Sequence, residues 1–167
     1  TAVGYQANRL LTTGTTNSVF GYQAMYYNTT GCSNVALGSS TLYSNATGGC
    51  LVAVGNKALY NNKTESYSTA VGYETLYTNI TGAENVAVGF RALCKSNSAG
   101  NNAVGASALR NTTAGCYNNA FGNKAMYTNT TGYNNDAFGT SVLYNNTCGY
   151  YNTGVGHKPL YSNTEGH

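Results

Sequence analysis

Seven Asn-x-Thr sequons, at Asn28, Asn45, Asn62, Asn79, Asn111, Asn129 and Asn145, are the residues with the clearest capacity for covalent chemistry. An asparagine in that context accepts an N-linked glycan when it sits on an exposed loop of a secreted protein. Asn28, Asn45, Asn62, Asn79 and Asn129 all lie seven residues after a glycine. A repeated outer turn would suit glycan acceptors, and Asn with Thr would equally build such a turn with no glycan attached. Both readings can hold together.

Five cysteines, Cys32, Cys50, Cys94, Cys116 and Cys148, show no CxxC spacing, which argues against a zinc site. Cys32 and Cys50 are 18 residues apart. That leaves a disulfide between them open, subject to geometry. The acids Glu65, Glu74, Glu84, Asp136 and Glu165 and the histidines His157 and His167 are too scattered to assemble a triad or a paired carboxylate, and no GxGxxG phosphate loop occurs. Neither an enzyme nor a cofactor is expected.

The elements that position these residues follow from one period. The glycine after an Ala/Val/Gly plus Val/Phe/Leu pair falls at Gly4, Gly21, Gly38, Gly55, Gly72, Gly89, Gly105, Gly122, Gly139 and Gly156. Every spacing is 17 except the one between Gly89 and Gly105, which is 16. Ten copies therefore run in phase, each reading roughly A(V/F)GxxALYxNxTGxxNx, and the short copy slips in a turn near Gly100.

Seventeen residues are too few for two antiparallel helices with their turns, and the Gly, Asn, Thr and Val content opposes helix. Val, Phe, Thr and Tyr suit a pleated surface, and the Gly and Asn segments supply turns. A unit of two short strands and two turns cannot hide an apolar face alone, so it must stack on its neighbours. The expected fold is all-β: a parallel β-solenoid of about ten 17-residue coils, one continuous array over residues 1–167. At about 4.8 Å per rung the rod would be roughly 45 to 50 Å long.

Stacking turns equivalent positions into columns. The pre-glycine column (Val3, Phe20, Leu37, Val54, Val71, Val88, Val104, Phe121, Phe138, Val155) and the column four after the glycine (Met25, Leu42, Leu59, Leu76, Leu93, Leu109, Met126, Leu143, Leu160) are large and apolar, and both are expected in the core. Two residues before the glycine comes a small column, from Ala2, Val19 and Ala36 to Gly154, where something must pack closely. A further column holds Tyr26, Tyr43, Tyr60, Tyr77, Tyr127, Tyr144 and Tyr161, broken by Cys94 and Arg110. It reads either as a structural stack of rings or as a platform for sugar binding. Asn17, Asn34, Asn85, Asn101, Asn118, Asn135 and Asn152 should form an amide ladder. A threonine column (Thr30, Thr47, Thr64, Thr81, Thr131) adds ice binding as a more distant reading.

Charged residues make up only 8% of the chain and the net charge is +3, so there is no basic stripe to imply nucleic acid. No run of about 18 apolar residues is present to span a bilayer. The chain begins and ends inside a repeat, as an excerpt of a longer array would.

The phrases NxAVG, as in Asn85 to Gly89, and NxAFG, as in Asn135 to Gly139, resemble the head repeats of trimeric autotransporter adhesins of the YadA type. The longer AVGYxALYxNTTG phrase is similar to repeat arrays of phage and large-virus tail-fibre proteins. That resemblance covers the whole chain and implies a left-handed parallel β-roll, a homotrimer, and an adhesive or spacer role outside the cell or on a virion. The coils of those adhesin heads are shorter, so one turn here must be longer. The function expected is that of a structural extracellular fibre with self-association and attached glycans, the rival being a carbohydrate-binding adhesin.

Overall fold

The computed structural model describes all of residues 1–167. Ten short strands follow one another: β1 (Ala2–Val3), β2 (Ser18–Phe20), β3 (Val35–Leu37), β4 (Val52–Val54), β5 (Thr69–Val71), β6 (Val86–Val88), β7 (Asn102–Val104), β8 (Asn119–Phe121), β9 (Asp136–Phe138) and β10 (Thr153–Val155). They form a single parallel sheet in the order β1 to β10. The chain is a β-solenoid, in which each 17-residue coil lays one strand beside the last. Val71 lies opposite Val88, as the period requires. No helix is long and apolar enough to cross a membrane.

Each coil contains one strand, where two were expected, and the rest of the circuit is turn. Of 105 backbone hydrogen bonds only 17 lie within the strands, so the turns carry most of the stacking. They do so by alternating the backbone's hand. Residues two and four after the glycine hold left-handed φ values, as at Gln23 (51°), Met25 (50°), Glu74 (51°) and Leu76 (48°). The alternation directs successive N–H groups along the rod: Gln23 donates back to Tyr5 O (2.8 Å), whereas Met25 donates forward to Thr41 O (2.9 Å). A left-handed residue other than glycine costs roughly 1–2 kcal/mol, and branching at Cβ makes it worse. At these two positions the side chains are Gln, Ser, Lys, Glu, Arg, Asn, Met or Leu, and never Val, Ile or Thr. This is why the core column is Leu and Met.

The core is narrower than the columns suggested. Met25, Leu42, Leu59, Leu76, Leu93, Leu109, Met126 and Leu143 are fully buried, as expected of their column, while Leu160 is exposed. The pre-glycine column is not core. Strands β2 to β10 bury only their middle residue, from Val19 and Ala36 to Ala137 and Gly154. Successive side chains alternate across a strand, so the small column turns inward and Phe20, Leu37, Phe121 and Phe138 turn outward. The interior admits alanine opposite leucine, and larger residues are left on the surface.

The glycines at the strand ends have a steric reason. Gly72 has φ +133°, and a Cβ there would lie 2.6 Å from the carbonyl oxygen of Gly89 on the next rung. Gly100 takes the left-handed corner position (φ 70°) occupied elsewhere by residues such as Glu84 and Tyr117, and its N–H donates to Ala83 O (3.2 Å). The short coil therefore loses its residue earlier in that corner, and the pairing of Val86 with Asn102 is undisturbed.

Candidate functional site

Two columns of asparagine line the interior. Asn17, Asn34, Asn101, Asn118 and Asn135 span their own coil: Asn34 Nδ2 donates to Gly48 O (2.9 Å) and Asn118 Nδ2 to Gly132 O (2.8 Å). Their Oδ1 atoms accept from the next rung, as Asn34 Oδ1 does from the Leu51 N–H (3.0 Å). The expected amide ladder is present, buried from Asn17 to Asn135 and half-buried at Asn152.

The second column consists of sequon asparagines. Asn28, Asn45, Asn62, Asn79 and Asn129 have no exposed surface. Asn45 Nδ2 donates to Asn28 Oδ1 (3.1 Å) and to Gly48 O (3.0 Å), and Asn62 Nδ2 donates to Asn45 Oδ1 (2.9 Å). The expectation that this turn faces outward is corrected. An asparagine inside the coil meets its need for hydrogen bonds there, and the folded rod leaves it inaccessible to a glycan. Asn111 and Asn145 stand one position earlier in their coils and are half-buried, without side-chain bonds.

The tyrosine column is a stack of rings. Tyr43 and Tyr60 have centroids 5.0 Å apart and planes 4° from parallel, Tyr60 and Tyr77 5.3 Å and 14°. Tyr26 lies 5.5 Å from Tyr43, and a second run joins Tyr127, Tyr144 and Tyr161. Because the faces meet one another along the rod, only ring edges reach solvent. A sugar-stacking platform needs outward faces, so this geometry does not offer one. An arginine begins each run: Arg9 Nη1 donates to Tyr26 Oη (2.6 Å) and Arg110 Nη1 to Tyr127 Oη (2.9 Å). The hydroxyls of Tyr43 and Tyr144 are held above the usual phenol range, by burial first and by neighbouring phenols second. Cys94 closes the first run, and burial pushes its thiol up as well.

Cys32 and Cys50 are exposed neighbours on successive rungs, with Cys50 N–H donating to Cys32 O (3.1 Å), and their thiols are not joined. Thr30, Thr47, Thr64, Thr81 and Thr131 are exposed as a column. The adjacent threonines Thr12, Thr29, Thr113, Thr130 and Thr147 engage their hydroxyls with the carbonyl of the following rung. Among the titratable groups Glu74 pairs with Arg91 (2.8 Å), Asp136 accepts from Asn119 Nδ2 (2.8 Å) and His167 stacks on Tyr150. Glu65, Glu84, Glu165 and His157 lie on separate rungs or corners, and no three of His, Cys, Asp and Glu come together as metal ligands.

What reading by side-chain size missed is the outer face of the sheet. Leu37 (49% exposed), Phe138 (43%) and Phe20 (41%) project from it, joined by Val35 and Val86 two residues earlier in their strands. Phe121 and Phe138 stack at 5.2 Å. A signal for this was available in the column between them, which is alanine or glycine in every coil except the second, where Val19 stands. Against known proteins, the chain matches no family model, no curated protein and no solved structure.

Proposed function

We infer that the chain is the shaft of a structural fibre, working outside the cell or on a virion surface through length and stiffness, with exposed columns as its contact surfaces. The observation that carries this reading is the continuity of the hydrogen-bonded stack: every strand from β1 to β10 pairs in parallel with the next, and turns and asparagine columns tie the same rungs together. Such a body behaves as a one-dimensional sum of equivalent layers. Its chemistry is spent internally, since the amides close coils, the rings stack on rings and the one ion pair joins adjacent rungs.

Self-association into a trimer or filament and glycans on the accessible sequons Asn111 and Asn145 belong to the same proposal. The test is length. Removing the two coils Val54–Ala87 by exact excision should shorten the rod by about 10 Å in small-angle scattering and leave the circular dichroism of the remainder unchanged. A collapsed particle, or unchanged length, would refute a modular shaft.

A further inference from the structure

We propose that the outer face of the sheet is an interface that docks onto the same face of a second copy of this chain. The pre-glycine side chains form an unbroken apolar column over ten rungs, from Val3 to Val155, and none is charged. The parallel column two residues earlier in each strand contains Val35, Val52 and Val86 and a single charge, Asp136. Phe20, Leu37, Phe121 and Phe138 with Val35 and Val86 are 38–49% exposed along this one face, a contiguous apolar patch of the kind that marks a protein interface.

Repetition identifies the occupant. The stripe presents one side chain per rung at about 4.8 Å spacing, so an irregular partner surface would fall out of step within a few rungs. A second copy has the same pitch by construction and can keep contact along the full length. Two such faces would pack as sheet on sheet, about 10 Å apart. The absence of charge along the pre-glycine column leaves nothing to recruit an ionic partner. A covered outer face would also supply the second apolar layer that the alanine interior does not.

This inference rests on the shaft reading in taking the stacked rod as the working state, and its test separates the two. The 167-residue chain is compared by analytical ultracentrifugation and small-angle scattering with Leu37→Glu/Phe121→Glu on the outer face and with Thr47→Glu/Thr131→Glu on an exposed corner. Wild type and corner variant should sediment as multiples of the chain mass at micromolar concentration. The outer-face variant should sediment as a single chain of unchanged length. If glutamate disturbs the strands, Leu37→Thr/Phe121→Thr keeps a strand-forming side chain and should weaken association at least tenfold. A wild-type chain that remains single, or that adsorbs to phosphatidylcholine vesicles and does not pair, overturns the interface and leaves the shaft intact. Association that survives both outer-face variants overturns it too.

Discussion

Replacing Asn45 by alanine tests whether the inner amides hold the coils together. Asn45 makes three side-chain bonds inside the rod, to Asn28 Oδ1, to Gly48 O and from Asn62 Nδ2. Gly48 O keeps the bond from Asn34 Nδ2 (2.9 Å), and Asn62 keeps its own to Glu65 O (3.0 Å). Two groups are left unpaired and buried: Asn28 Oδ1 and one Asn62 N–H. At about 1–3 kcal/mol for each of the two orphaned groups the loss should be about 2–6 kcal/mol, which for a chain of this size lowers Tm by roughly 10 °C. Asn61→Ala is the control, because that half-buried side chain makes no bond and should cost under about 0.5 kcal/mol. Asn45→Asp adds a pH signature. A carboxylate facing Asn28 Oδ1 and Gly48 O is disfavoured, so its folded-state pKa rises above the unfolded one. The variant should be least impaired below the ordinary aspartate range and lose stability as pH rises. Thermal and urea unfolding followed by circular dichroism measure all three. Equal losses for Asn45→Ala and Asn61→Ala would refute the argument.

Gly72→Ala places a Cβ against the Gly89 carbonyl at φ +133°, whereas Gly156→Ala has φ +120° and nothing within 4 Å. The first should cost roughly 3 kcal/mol or more and the second about 1 kcal/mol, read by the same unfolding curves. Secreted from a glycosylating eukaryotic host, the folded chain should lose at most two glycans' mass on enzymatic deglycosylation, and Asn111→Gln/Asn145→Gln should abolish that shift. A glycan recovered from Asn45 or Asn62 in folded material contradicts their burial. Maleimide at mildly alkaline pH should label exposed Cys32, Cys50 and Cys148 quickly and Cys94, buried and with its thiol pushed up, only after unfolding. Uniform labelling of all five counts against the closed tyrosine flank.

The period alone made the stacking legible, because ten glycines in phase leave little alternative to coils laid one on another. The leucine column was legible for the same reason. Which side of the strand faces in was not, because size was weighed above alternation. In a coil this narrow the inward position is the small one, and Phe20 and Leu37 have no room. The sequon column misled through its resemblance to an outer turn. Its own membership was the better guide: the places of Asn28 and Asn45 are taken in other coils by Ser96, Thr112, Asn146 and Asn163, never by a charge. The next position admits Lys63, Ile80 and Asn97, as a solvent-facing site does. The left-handed alternation at Gln23 and Met25 had no sequence precedent beyond missing β-branched residues.

The coil that runs from Gly89 to Gly105 absorbs a missing residue at one corner while its strands stay aligned. Errors in copying the underlying gene therefore fall into two kinds. Slippage by a whole unit lengthens or shortens the product without disturbing its cross-section, and a small deletion survives only where the circuit bends. Solenoid length is in consequence a quantity that recombination can adjust freely, and lineages carrying such a gene should differ in unit number more readily than in unit shape.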